Sequence, residues 1–216
     1  MEQLKFAQDL YENNGKLVYS HKELGKNQLR MHYEFIKDYM AKTQGRTAVD
    51  VGCRFGEYTH YLLKHFDAVK CFEPRIQTLV KQFNKNTPKD RVQVYACGLG
   101  DTLGIVNMNG GAVHKENSTE IIPKKYRRNI PVFTLDSFRF DSVDFIKIDV
   151  EGYELKVLQG ALATIDTNKP IIVVEQNGSD TKYGWGTENQ AGAFLETLGY
   201  TSVDRLKNDF VFEYKG

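Results

Sequence analysis

From about residue 47 onward, short apolar runs alternate with longer stretches in which apolar positions return at helical spacing. The short runs predict buried strands at about 47–51 (TAVDV), 68–72 (AVKCF), 91–96 (RVQVYA), 143–148 (VDFIKI) and 170–175 (PIIVVE). Helices are predicted between and after them, at about 57–65, 75–86, 153–166 and 187–198, the last ending at Gly199 as a left-handed cap. Strand–helix alternation of this kind specifies a mostly parallel sheet with helices on both faces. Two closing runs, 200–204 and 209–214, are joined only by Arg205-Leu206-Lys207-Asn208, so they pair antiparallel. The polar, glycine-bearing stretch 98–129 is predicted as loop, followed by a short strand at 131–134, and 176–186 as loop. Residues 1–46 stand apart as two helical pieces, 2–13 and 26–43, broken near Gly15 and rich in aromatics (Tyr11, Tyr19, Tyr33, Phe35, Tyr39). They are predicted to pack on the sheet or to act as a lid and substrate segment, with 47–216 as the main domain.

Length and charge narrow the classes. A chain of 216 residues suffices for one large α/β core. A net charge of +1 argues against a broad nucleic-acid surface. No apolar stretch approaches the roughly 18–20 residues of a membrane span. The start MEQLKFAQDLYENN lacks the features of a secretory signal. Cys53, Cys71 and Cys97 are odd in number, have no metal spacing and lie in or beside predicted buried strands. They read as small core residues in a reducing compartment, so a cytoplasmic location is expected.

Candidate chemistry begins in TAVDVGCRFGEYT, residues 47–59. A buried strand carries Asp50, breaks at Gly52-Cys53-Arg54-Phe55-Gly56 and continues into a helix. Such a turn is a nucleotide-cofactor cradle, because glycine lets backbone and ligand approach closely. The acid repels a phosphate but tolerates the sulfonium and ammonium groups of S-adenosylmethionine (SAM). A second acid, Glu73, ends the next strand and precedes Pro74, which fits the first turn of a helix. An acid in that place accepts from ribose hydroxyls. In VDFIKIDVEG, residues 143–152, Lys147, Asp149 and Glu151 alternate with Ile146, Ile148 and Val150. Charges at every second position are expected at the carboxyl end of a covered parallel strand rather than in its middle. Asp149 there can bind the SAM amino group, orient an acceptor or take its proton. Lys147 can pair with Asp149 or Glu151 or direct a substrate oxygen.

Together these segments resemble the FkbM-type family of class I SAM-dependent methyltransferases. The resemblance is carried by Val49-Asp50-Val51-Gly52 with Gly56, Phe72-Glu73-Pro74, Thr134-Leu135-Asp136-Ser137, the run Ile146 to Glu154, Val157-Leu158-Gln159-Gly160-Ala161 and Lys169-Pro170-Ile171-Ile172-Val173-Val174-Glu175. It covers about 47–175 and implies a Rossmann-like, seven-stranded sheet, mostly parallel with a C-terminal antiparallel hairpin. It implies O-methylation of a hydroxyl on a small molecule, sugar or glycan. Asp50, Gly52 and Gly56 would line the methionine end of SAM and Glu73 its ribose, with Cys97 to Asp101 bordering the adenine. Cys53, Tyr58, Thr59, Pro74, Gly98 and Leu99 complete the candidate cofactor set, and Asp149 also belongs to it. Asp149, Lys147, Glu151 and His114 form the candidate catalytic set, with Asp149 the first choice of base and His114 the second. The chain departs from the family where it carries Cys53-Arg54 in place of the usual Ala-Asn. Glu175, Gln176 and Asn177 end the fifth strand at the same rim. With Asp149 they offer oxygens for a Mg²⁺-assisted step, but nothing in the spacing requires an ion, and no metal-binding residue is assigned. An RNA ribose 2′-O-methyltransferase is the alternative, favoured only by Lys124-Lys125-Tyr126-Arg127-Arg128; a catalytically silent SAM-binding module is another.

Overall fold

The computed structural model describes residues 24–75, 90–109, 112–113, 127–187 and 189–216. Its main sheet has seven strands: β1 (Thr47–Val51), β2 (Ala68–Phe72), β3 (Val92–Tyr95), β8 (Val143–Ile148), β9 (Ile171–Glu175), β10 (Tyr200–Leu206) and β11 (Asp209–Tyr214). Their order across the sheet is β10-β11-β9-β8-β1-β2-β3. The pairs among β3, β2, β1, β8 and β9 are parallel, and β11 is antiparallel to both β9 and β10. The chain runs outward from β1 to β3 and then crosses back to β8 on the other side of β1. The gap above β1 and β8 is therefore the topological switch point, where open α/β sheets bind ligands.

Register sets the site. Val51 is the partner of both Phe72 and Ile148, Ile148 pairs with Val174, and Glu175 pairs with Asp209. The residues that follow or occupy these positions (Gly52, Glu73, Asp149, Glu175 and Asp209) therefore come out at one rim.

Alternation along each strand divides the core in two. Val49, Val51, Ile146, Ile148, Ile172 and Val174 face one side, against Val157 and Leu158 of α3 (Glu154–Gln159), Ile165 of α4 (Leu162–Asn168) and Leu195 of α6 (Gln190–Thr197). Ala48, Cys71, Phe145, Val173 and Val211 face the other, against Ile36 and Met40 of α1 (Leu24–Ala41) and Leu62 of α2 (Glu57–Leu62). Period two places Asp50, Lys147 and Asp149 on the α1/α2 side. Among the described residues, no helix is long and apolar enough to cross a membrane.

The stretch expected as loop over 98–129 contains strands instead. Strands β4 (Gly98–Leu99), β5 (Gly104–Asn109), β6 (Ala112–Val113) and β7 (Arg127–Phe133) form a second sheet in the order β4-β7-β5-β6. β5 and β7 are polar on alternate positions and have mostly exposed or partly buried side chains, which hid them from a search for apolar runs. Their inner residues Met108, Val113, Ile130 and Val132 pack with Tyr153 and Trp185, and Trp185 Nε1 donates to Val113 O at 2.7 Å. The single helix expected at 153–166 is two, α3 and α4, because Gly160 lies against the backbone of Gly100. A Cβ on Gly160 would stand 1.8 Å from Gly100 O. A short helix, α5 (Ser179–Lys182), interrupts the expected loop at 176–186. Gly199 has φ +83°, as a left-handed cap requires, and the closing hairpin turns through Lys207-Asn208. The expected helix at 2–13, and that at 75–86 beyond its first residue, lie outside the described residues.

Candidate active site

The turn after β1 is held against β2: Gly52 N and Cys53 N both donate to Phe72 O, at 2.9 and 3.2 Å. Gly52 has φ +80°, and a Cβ there would meet Asp149 O at 1.8 Å. Only glycine lets the β1 turn and the end of β8 touch. Gly56, at φ +75°, opens α2, and its N–H donates to Cys53 O at 2.7 Å.

Asp50 sits beneath this turn. It is 2% exposed and accepts from Thr59 Oγ1 at 2.6 Å, which fastens the start of α2 over the end of β1. The Cys53 thiol is pushed well up by its hydrogen bond with Cys71 and by burial, with Asp50 and Glu73 adding negative charge nearby. Glu73 is buried at the end of β2. Its oxygens accept from Arg54 N at 3.2 Å and from Arg75 N and Nε at 2.9 Å each. The Arg75 side chain is 29% exposed, so it can yield its place to a ligand hydroxyl. Pro74 is half-buried beside it. Gly98 and Leu99 form β4, where Leu99 points into the core rather than outward. Tyr58 lies across the site, its ring under Lys147 Nζ at 4.9 Å.

Lys147 is 1% exposed, although it sits in a central strand. Its Nζ donates to Asp209 Oδ1 at 2.8 Å and stands 3.8 Å from Asp149 Oδ2. Burial works against its charge, but Asp209, Asp149 and Tyr58 override it and hold the ammonium well above its ordinary pKa. Burial likewise works against the Asp209 carboxylate; the Lys147 charge and hydrogen bonds from His32 and Lys147 override it and hold Asp209 well below the usual range. His32 Nδ1 lies 2.6 Å from the other oxygen of Asp209 and 2.9 Å from the Tyr58 hydroxyl.

The open end of the site is acidic. Oxygens of Asp149, Glu151 and Glu175 lie within 4.8 Å of one another. Asn177 Nδ2 donates to Glu175 at 3.0 Å and to Glu151 at 3.3 Å. Burial, then the charge of Asp149 and a hydrogen bond with it, push Glu175 up to about 9. Glu175 therefore keeps its proton at neutral pH and donates it to Asp149. Three carboxyl groups so arranged offer oxygens to a hard cation. No metal role is assigned to them. Glu154, buried behind them, accepts from Val150 N and Gly152 N and fixes the turn that carries Glu151 at φ +57°.

The structure thus gathers Asp50, Gly52, Cys53, Gly56, Tyr58, Thr59, Glu73, Lys147, Asp149 and Glu151 around the ends of β1, β2 and β8. His114 lies outside the described residues, as does most of the basic run 124–128. Spacing did not single out Asp209 or His32. Asp209 opens an apolar strand 62 residues after its lysine, and His32 lies on a helix before β1. The one signal was indirect: a lysine inside a buried strand demands an acid from somewhere.

The match to known proteins follows the same elements. The methyltransferase FkbM domain matches residues 50–204. Among curated proteins, none matches the chain. The fold is similar to that of the methyltransferase FkbM from Methylobacillus flagellatus KT, with 19% identity and a TM-score of 0.52 over 99% of this chain. The chain spans 59% of the length of that protein. It is also similar in fold to the N-methyltransferase NodS from Bradyrhizobium japonicum WM9, with 10% identity and a TM-score of 0.50, covering 87% of this chain and 95% of that one. With the domain matched over most of its length and the seven-stranded sheet in place, the chain belongs to the FkbM methyltransferase domain family.

Proposed function

We propose that the chain is a SAM-dependent methyltransferase directed to a hydroxyl group of a small molecule, sugar or glycan. The observation that carries this is Asp149. It ends a central strand beside the Gly52 turn, its side chain is 37% exposed, and its neighbours on either side along the rim are the cofactor turn and a protonated carboxyl.

The residues fit SAM. Gly52 leaves no side chain between the β1 turn and β8, and the acids at the ends of β1, β2 and β8 favour a cationic ligand over a phosphate. Glu73 would take the ribose hydroxyls in exchange for Arg75. The Gly52–Gly56 turn would hold the methionine end, above the buried Asp50. Gly98 would border the adenine, and Leu99 would support it from the core. Bound SAM supplies an electrophilic methyl group. Asp149 accepts the acceptor's O–H, orients its oxygen toward that methyl and takes its proton as the ether forms. Glu175, already protonated, donates a hydrogen bond to Asp149, and Glu151 and Asn177 shape the entry. The N-terminal segment 1–46 serves as the lid and substrate segment of the 47–216 domain, and His114 is a second candidate base.

The acids Asp149 and Glu151 at this rim also support a small-molecule acceptor over RNA, because carboxylates face a phosphodiester poorly. Calorimetry with SAM, followed by product formation on hydroxyl and amine panels, tests the proposal. Turnover confined to amines would overturn the O-directed assignment. Tight SAM binding with no turnover on either panel would leave a silent binding module instead.

A further inference from the structure

Lys147 lies on a central parallel strand, where a side chain covered on both faces is ordinarily apolar. Removing water from an ammonium is costly unless partners replace it. Partners come from several of the elements packed around it, and Asp50 of β1 is its neighbour in the sheet register. β11 supplies Asp209 at 2.8 Å, its own strand supplies Asp149 at 3.8 Å, and α2 supplies the Tyr58 ring at 4.9 Å. From β9, Glu175 feels its charge. The second oxygen of Asp209 is taken by His32 of α1 at 2.6 Å and by the Tyr58 hydroxyl at 3.4 Å.

The two acids on Lys147 differ in kind. The Asp209 side chain is 5% exposed and Asp149 is 37% exposed. The ion chain is closed at His32 and Asp209 and open at Asp149, and the ammonium sits nearer its closed end. Asp149 therefore has a cation behind it without being locked onto that cation.

We infer that Asp209, backed by His32, is a positioning residue that holds the Lys147 ammonium behind Asp149 and so keeps Asp149 open to the acceptor. The inference rests on the proposed placing of Asp149 at the transfer point. When Asp209 is neutralised, Asp149 is a carboxylate already at 3.8 Å from the ammonium. The ammonium then turns onto it and occupies the oxygen that receives the acceptor's proton.

The experiment uses Asp209→Asn in the full chain, with lysine side chains labelled for NMR. The Lys147 titration midpoint is expected to fall by about one unit or more, since burial then meets less compensating charge. Calorimetric affinity for S-adenosylhomocysteine is expected to stay within about twofold, while kcat on the best hydroxyl acceptor falls about tenfold or more. Lys147 titrating as in the parent overturns the inference. So does parental turnover, or a loss of affinity in step with turnover.

A second comparison covers the case in which Asp209→Asn does not fold. Lys147→Met is measured with and without Asp209→Asn; the double variant leaves neither charge buried alone, and in the single one His32 remains beside Asp209. Equal kcat in the two supports Asp209 acting through Lys147, and a further drop in the double variant overturns it. A parent that turns over no acceptor sinks the proposed function, and the lysine titration then decides on Asp209 by itself.

Discussion

Asp149 and Glu73 are both carboxylates at strand ends, yet their surroundings assign them different work. Asp149 is partly open and Glu73 is buried under Arg54 and Arg75. Asp149→Ala is expected to lower kcat on the order of 10²–10⁴-fold, the usual worth of a positioned base. Its effect on melting temperature should be the smaller one, because Asp209 still holds the Lys147 ammonium at 2.8 Å. Glu73→Ala removes charge-assisted hydrogen bonds worth about 1.5–3 kcal/mol. SAM affinity by calorimetry should therefore weaken on the order of tenfold to a hundredfold. Unchanged affinity would refute the ribose assignment. Both acids were legible in the sequence because each follows an apolar run and precedes a helix or glycine turn. Asp50 was legible as well, but only its position. The sequence put it among the cofactor's neighbours, and the folded chain adds a hydrogen bond from Thr59 that ties it to the start of α2.

At the level of elements, the motifs of the family are mostly joints. Asp136 accepts from Ala163 N at 2.9 Å and from Thr164 N and Oγ1 at 2.8 and 2.7 Å, so it caps α4 from a neighbouring 3-10 turn, Leu135–Phe138. Asp136→Ala should cost about 1–2 kcal/mol, read as a lower urea midpoint with SAM affinity unchanged. Gly160 closes another joint by admitting the backbone of Gly100. Strands with covered faces announced themselves as apolar runs, so the main sheet was legible. The second sheet was not, because β5 and β7 pair with each other largely in the open and carry Arg, Asn and exposed Ile105. The break between α3 and α4 was hidden for a different reason. Helical periodicity continues through Gly160, and only a contact from a distant turn ends the first helix.

Over the whole molecule, buried acids set the response to pH. Glu175 and Glu154 are pushed up by burial, to about 9 and about 7. Each keeps a proton when folded that the unfolded chain gives up. The stability this allows is complete below the ordinary carboxylate range and is lost as pH rises through those values. Asp209 is shifted the other way, so its contribution is present above the ordinary carboxylate range and is lost as pH falls. The folded state should therefore be most stable on the acid side of neutrality, near pH ~5. Urea midpoints should decline from there toward pH ~9, and Glu175→Gln should flatten that decline. Parallel declines in parent and variant would remove the proton from Glu175. The three-element convergence of His32, Lys147 and Asp209 was invisible in the sequence, since no local pattern links a helix, a central strand and a closing hairpin.

The separation of 62 positions from Lys147 to Asp209 also bears on how the chain is made. Synthesis delivers the strand with the ammonium well before the strand with its counter-ion. Until the later strand is threaded in beside β9, the earlier one carries a hydrated cation that resists enclosure. The cradle at Gly52 can take shape on the ribosome early, while the interior behind it stays wet. The candidate site is thus closed from behind by a strand translated well after the one it covers.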